Sequence, residues 1–158
     1  MTVQRTKLLA PIIREVVVNA SPQRAFEIFV QKTGNWWPVE HSLVQGRKDV
    51  IIEPFPGGRW YELGENDTQY QWGEVVEAEP GKRLLISWQL SDEWEFDPGS
   101  ASQVEVVFTV EGDKTRVTLT HRDFENMGPK ADDTYKSLSA DFGWTSIFDS
   151  YSKLASGT

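Results

Sequence analysis

Two runs of alternating residues, Tyr70 to Ala78 and Lys82 to Leu90, meet across Glu79-Pro80-Gly81, and this pairing constrains the fold more than any other stretch of the chain. Pro80 presets the backbone for a turn, and Gly81 accepts the left-handed conformation that a tight reversal asks for. Leu84, Ile86, Trp88 and Leu90 alternate with Leu85, Ser87 and Gln89, the period of a strand with one buried face. The segment is an antiparallel hairpin. Each arm carries a tryptophan, Trp72 and Trp88, large enough to wall a cavity.

The same period of two continues on either side. Strands are expected near 49–54, 58–63, 70–78, 82–90, 103–110 and 114–121, with short connectors that favour antiparallel neighbours. Val104, Val106, Phe108 and Val110 share one face. Ile12 to Val18, rich in branched residues, adds a first strand. Ser21-Pro22 reads as the N-cap and first position of a helix with the apolar stripe Ala25, Phe26, Phe29 and Val30, and Gly34 is placed to end it. Asn35 to Pro38 follow as a short second helix or a turn.

After Gly128-Pro129 the period becomes helical. Trp144, Ile147, Phe148, Tyr151 and Leu154 fall on one stripe, and Tyr135, Leu138 and Phe142 extend it upstream at a slightly rotated phase. The spacing predicts one long helix over roughly residues 131 to 155. Gly143 lies inside it, where either the helix bends or a backbone or ligand comes close. The order of elements is that of an α+β domain, a curved antiparallel sheet wrapped around a C-terminal helix. Residues 1–11 read as a tail, and residues 12–158 as a single domain.

A chain of 158 residues holds one substantial core. A net charge of -8 repels phosphate backbones and anionic membranes, so neither is an expected partner. The chain has no cysteine, which removes thiolate catalysis and zinc-cysteine sites and suits a reducing cytoplasm. The apolar patch from Leu8 to Ile13 is interrupted by Pro11 and is too short for a signal-peptide core or a membrane span; a cytoplasmic protein is expected. Seven Trp, eight Phe and four Tyr form either a bulky core or an aromatic pocket.

Several motifs together carry a family resemblance: Ser21-Pro22, Trp36-Trp37-Pro38 with His41, Glu53-Pro54, Pro56-Gly57-Gly58-Arg59-Trp60, Trp72-Gly73-Glu74-Val75, Glu79-Pro80-Gly81-Lys82-Arg83-Leu84, Trp88, Leu119-Thr120-His121 and Gly143-Trp144. Over residues 12 to 155 the chain resembles the START-like, birch-pollen-allergen-like (SRPBCC) superfamily and, within it, the family related to the activator of Hsp90 ATPase. The resemblance implies a helix-grip fold, and a ligand cavity between the sheet and the last helix.

Candidate site residues fall into three groups. Trp36, Trp37 and His41 form either a pocket mouth or a core plug. Trp60, Trp72 and Trp88 lie on successive strands, with Trp144 and Phe148 opposite; they line a cavity or fill a packed core. Trp94 and Phe96, in the acidic loop from Ser91 to Ser102, are expected to cover the cavity entrance or to contact a second subunit, which leaves a homodimer open. His121 closes a strand, where a histidine is usually structural, and is retained as a cavity candidate. No spacing links the two histidines with Glu53 or Glu62 into a metal site, and no cofactor is expected. Glu62 and Glu74 share the phase of Trp60 and Trp72 but are expected to reach solvent, because an unpaired inward carboxylate is costly. The leading reading is a protein that binds an apolar or aromatic small molecule and needs no chemistry. The alternatives are a cyclase-like or hydratase-like enzyme in the same cavity, with His41, His121 or an inward glutamate as acid or base, and a chaperone-interaction module.

Overall fold

The computed structural model describes residues 9–157, so residues 1–8 of the expected tail lie outside the described residues. Seven strands, β1 (Ile12–Val18), β2 (Asp49–Ile52), β3 (Arg59–Leu63), β4 (Gln69–Glu79), β5 (Arg83–Trp88), β6 (Ser102–Glu111) and β7 (Lys114–Arg122), make one curled sheet in the order β1-β7-β6-β5-β4-β3-β2. Every pairing is antiparallel. The first strand thus forms one edge beside the last, and β2 to β7 run as a meander in which each strand pairs with the next.

Two irregularities in β4 decide which side chains face inward. Trp60 pairs with Gly73 and Tyr61 with Gln71, which leaves Trp72 as an extra residue, and a second shift follows between Val75 and Glu77. The first bulge lets Trp72 and Val75 both turn into the core and returns Glu74 to solvent. Gly73 sits between Trp60 on β3 and Trp88 on β5. With no side chain between them, the two indoles meet across β4 at 5.5 Å. A Cβ at Gly73 would lie 2.2 Å from the Ser87 carbonyl oxygen.

Helix α1 (Pro22–Gln31) starts where expected, with the Ser21 side chain accepting from Arg24 N and proline in the first turn. It ends before Gly34, which instead belongs to the one-turn helix α2 (Thr33–Trp36). The reason for glycine there is proximity to β2, since a Cβ would lie 1.8 Å from Asp49 Oδ1 and 2.9 Å from the Val50 amide nitrogen.

The expected long C-terminal helix is two helices, α3 (Ala131–Ser139) and α4 (Ser146–Ala155), joined by a π-helical turn over Asp141–Thr145. Gly143 explains the break. A Cβ on it would stand 2.3 Å from the Leu138 carbonyl oxygen and 2.4 Å from that of Ser137, so the turn closes only around a residue without one. Arg14, on edge strand β1, ties the break down by donating to the Ser139 carbonyl at 2.9 Å and to Thr145 Oγ1 at 3.0 Å. The altered phase turns Phe142 outward to 84% exposure, so it does not continue the apolar stripe. Val110, near the tip of the β6–β7 hairpin, likewise runs past the edge of the core.

The core fills the concave face of the sheet. Val104, Val106, Phe108, Val117 and Leu119 pack under Phe26 and Phe29 of α1 and Ile147, Phe148 and Tyr151 of α4. The Tyr151 hydroxyl donates to the Ala25 carbonyl at 2.7 Å, locking α4 to α1. Gly143→Ala is expected to lower the unfolding free energy by about 1–3 kcal/mol, because the clash is with backbone that has no rotamer to yield. Urea denaturation with an unchanged slope checks it.

Candidate functional site

Between the sheet and the two C-terminal helices lies a cavity of about 270 Å³, open on one side. Its size is close to the ~300 Å³ at the lower end of small-molecule pockets. Trp72 of β4, Trp88 of β5, Leu90, Leu138 of α3 and Ile147 of α4 form its walls, and Trp37 joins them from the residue after α2. Glu40, His41, Ser42 and Leu43 form one lip, carried on a 3₁₀ turn over Val39–His41, and Trp94 forms the other.

Each lip is held by a specific set of bonds. Arg47 donates to the Pro38 carbonyl at 3.3 Å and to that of Gly34 at 3.4 Å. Glu62 Oε1 accepts from the Leu43 amide at 2.6 Å. On the other side, Phe96 N donates to the Tyr70 hydroxyl at 3.2 Å, and that hydroxyl donates to the Trp94 carbonyl at 3.4 Å. Trp94 has φ of 62°, a left-handed conformation that a bulky side chain rarely adopts. It is 37% exposed.

Of the residues expected from sequence, Trp37, His41, Trp72, Trp88 and Trp94 border the cavity. Trp60 and Trp144 stand outside its lining: Trp60 touches Trp37, Trp72 and Trp88, and Trp144 touches Trp37 and Trp88. Trp36 is a core residue, packed on Phe29 and Tyr151, with its indole N–H given to the Ile28 carbonyl at 3.1 Å. Phe148 stacks on Tyr151 away from the cavity. Phe96 bridges back to Leu90 and is half exposed.

His121 is also outside the lining, at 0% exposure. The Trp144 indole can only donate, and it points at His121 Nδ1 from 3.0 Å. The ring proton therefore sits on Nε2 and is donated to Ser102 Oγ at 2.7 Å. Burial lowers the pKa of this imidazole to about 3. A neutral ring with both nitrogens spent acts as a pin between β6, β7 and the helix break. Among the described residues no group of three His, Cys, Asp or Glu side chains could hold a metal ion.

Glu62 departs most from expectation, because it is 0% exposed and not solvated. Burial raises its pKa, opposed by the Leu43 and Val44 amides, the Arg47 charge and the Trp72 indole. Only Oε1 is bonded; Oε2 has no hydrogen-bond partner among the described residues. The indole nitrogens of Trp37, Trp60, Trp72 and Trp88 and Ser42 Oγ are in the same condition. Each such buried donor or acceptor costs about 1–3 kcal/mol, and edge-to-face ring contacts, as between Trp37 and Trp60 at 5.4 Å and 88°, return about 0.5–1.5 kcal/mol per pair. The sequence signal for Glu62 was its shared phase with Trp60. Ser42, Leu43, Leu138 and Ile147 carried no signal as lining residues, since their roles depend on how the lip and the broken helix approach the sheet.

The chain belongs to the family of Activator of Hsp90 ATPase homolog 1-like proteins, whose model matches residues 19–155. Among solved structures, it is 32% identical to an anthrahydroquino-γ-pyrone synthase, Txn09, solved in complex with SUM, with a TM-score of 0.66 over 93% of this chain and 97% of that one. It is 28% identical to CalC, a self-sacrificing resistance protein from Micromonospora echinospora, with a TM-score of 0.67 over 92% of this chain and 93% of that one. The Aha1 dimer from Colwellia psychrerythraea shares the fold at 13% identity and a TM-score of 0.65, over 94% of this chain and 98% of that one. No curated protein matches.

His121 and Glu62 pull stability in opposite directions with pH. The unfolded chain protonates His121 near 6.5 and the folded one only near about 3, so its contribution is complete above 6.5 and is lost as pH falls toward 3. The slope approaches ~1.4 kcal/mol per pH unit inside that window. Urea melts from pH 7 to 5 are expected to show this loss, and His121→Gln to flatten it. Glu62 has a raised pKa, so its contribution is present below the ordinary value of 4.5 and is lost as pH rises through the folded value. Glu62→Gln, which keeps an acceptor for Leu43, is expected to be more stable than the parent at pH 7, with the difference closing at low pH.

Proposed function

We propose that the protein binds a flat aromatic small molecule in this cavity. One observation carries the reading: three indoles, Trp37, Trp72 and Trp88, converge with Leu90, Leu138 and Ile147 around one open space between sheet and helices. Aromatic and aliphatic walls with a polar lip are the composition of a small-molecule site, and rigid indole rings bind planar molecules at low entropic cost. In this reading residues 12–158 act as one domain, His41 stands at the mouth, and Trp94 is its cover. Its left-handed backbone is the kind of local strain that clusters at ligand clamps. The similarity to an anthrahydroquino-γ-pyrone synthase supports an aromatic ligand. A cytoplasmic location fits the acidic, cysteine-free chain; among the described residues no helix is long and apolar enough to cross a membrane.

A second reading, a cyclase-like activity in the same cavity, is favoured by Glu62, a buried carboxylate with a raised pKa that touches the lip. An open cavity supports either reading over a chaperone-interaction module, which has no use for it.

Prodan, a neutral naphthalene dye sensitive to its surroundings, tests the proposal. It is expected to bind, shift its emission to the blue and quench tryptophan fluorescence. Leu138→Trp, which fills the cavity from α3, is expected to weaken binding by about tenfold or more while the far-ultraviolet spectrum is unchanged. Binding that ignores this substitution, or no binding by the parent, overturns the reading.

A further inference from the structure

Three buried polar atoms without a hydrogen bond among the described residues belong to side chains that line the cavity or stand behind its lip. Glu62 uses Oε1 on the Leu43 amide and leaves Oε2 free, although the side chain is 0% exposed. Trp72 Nε1 and Ser42 Oγ are buried and make no hydrogen bond among the described residues. Trp72, Ser42 and Leu43 line the cavity, and Glu62, itself outside the lining, stands behind Leu43 and is bonded to its amide. The Trp72 indole N–H is directed at Glu62 and favours its charged form, although the two make no hydrogen bond of normal geometry. The set comprises one strong acceptor, one obligate donor and one hydroxyl that serves as either.

Resting on the aromatic-binding reading above, we propose that Glu62 and Trp72 form a recognition point for a phenolic hydroxyl on the bound ring system. The ligand O–H donates to Glu62 Oε2, and its oxygen accepts from the Trp72 indole N–H, with Ser42 Oγ as a further partner. The chemistry selects a hydroxyl over its competitors. A carbonyl satisfies the indole but turns its lone pairs toward the carboxylate. An ammonium satisfies the carboxylate but meets the indole N–H with like polarity. A hydroxyl is donor and acceptor at one atom, and on an aromatic ring it lies in the plane of the body that the indoles enclose. Burial raises the Glu62 pKa, and the Leu43 and Val44 amides and Arg47 oppose that rise.

The test compares 2-naphthol with 2-methoxynaphthalene, which keeps the ring system and the oxygen and lacks only the donated proton. Isothermal titration calorimetry on the full chain at pH 7 gives the ratio of the two dissociation constants. The parent is expected to prefer the naphthol by about tenfold or more, as sites built to bond a hydroxyl do. Glu62→Gln keeps an acceptor for Leu43 and places an amide donor where Oε2 was, so the ratio is expected to fall to within about twofold. Trp72→Phe removes the other partner and is expected to reduce the ratio independently of any change in ring affinity. A parent that binds both compounds equally, or a Glu62→Gln protein that keeps the full preference, overturns the hydroxyl assignment and leaves aromatic binding standing. Failure of both compounds to bind the parent overturns the aromatic reading and this assignment with it.

Discussion

Trp37 is the ring around which the interior is arranged. From a loop position it touches Trp36 at 5.8 Å, Trp60 at 5.4 Å, Trp72 at 4.8 Å and Trp144 at 5.9 Å. These partners come from α2, β3, β4 and the π-helical turn, so one side chain connects the sheet, the segment after α1 and the C-terminal helices. Rings of this size meet at so many angles only if the backbone yields. The glycine between Trp60 and Trp88, the bulge that turns Trp72 inward and the break at Gly143 are three such concessions. Close-packed interiors leave few voids, and an assembly of large rigid plates leaves one where the plates do not tile.

The polar cost of this arrangement is uneven. Trp36 and Trp144 each find an acceptor, the Ile28 carbonyl and His121 Nδ1. The indoles of Trp37, Trp72 and Trp88, which border the cavity, and of Trp60 behind them do not. Natural sequences break local rules mainly where function demands it, and here the broken rules are gathered in one place: unpaired indoles, a buried carboxylate and a tryptophan in left-handed conformation. His121 is the contrast, equally buried but fully bonded, and it serves the scaffold.

The sheet was legible because its residues alternate, and alternation is a local property. All seven strands lie close to their expected places, and the hairpin at Pro80-Gly81 forms as its turn residues require. The glycines were harder to read. Gly34 and Gly143 look in sequence like a helix stop and a helix flaw, yet both are set by atoms distant along the chain or packed from another turn, namely Asp49 and the carbonyls of Ser137 and Leu138. Glu62 was read as solvated on the general cost of burying charge. What offsets that cost, the Leu43 and Val44 amides and Arg47, comes from a loop whose path has no period to reveal it. The cavity's tryptophans could be listed from composition and phase, but which of them form a wall and which stand behind depends on packing alone.

The division of the last helix gives the cavity two walls with different attachments. The α4 wall, with Ile147, is bound to the scaffold through Tyr151 and Ala25 and through Ser150 and the Trp36 carbonyl. The α3 wall, with Leu138, is bonded at its start to the Trp94 loop, where Asp92 accepts from the Lys130 amide at 2.6 Å and from Thr134 Oγ1 at 3.4 Å, and at its end to β1, where Arg14 donates to the Ser139 carbonyl at 2.9 Å. One wall thus belongs wholly to the scaffold, and the other is shared between the entrance loop and the edge of the sheet, so the same nine-residue helix borders the opening at one end and the helix break at the other.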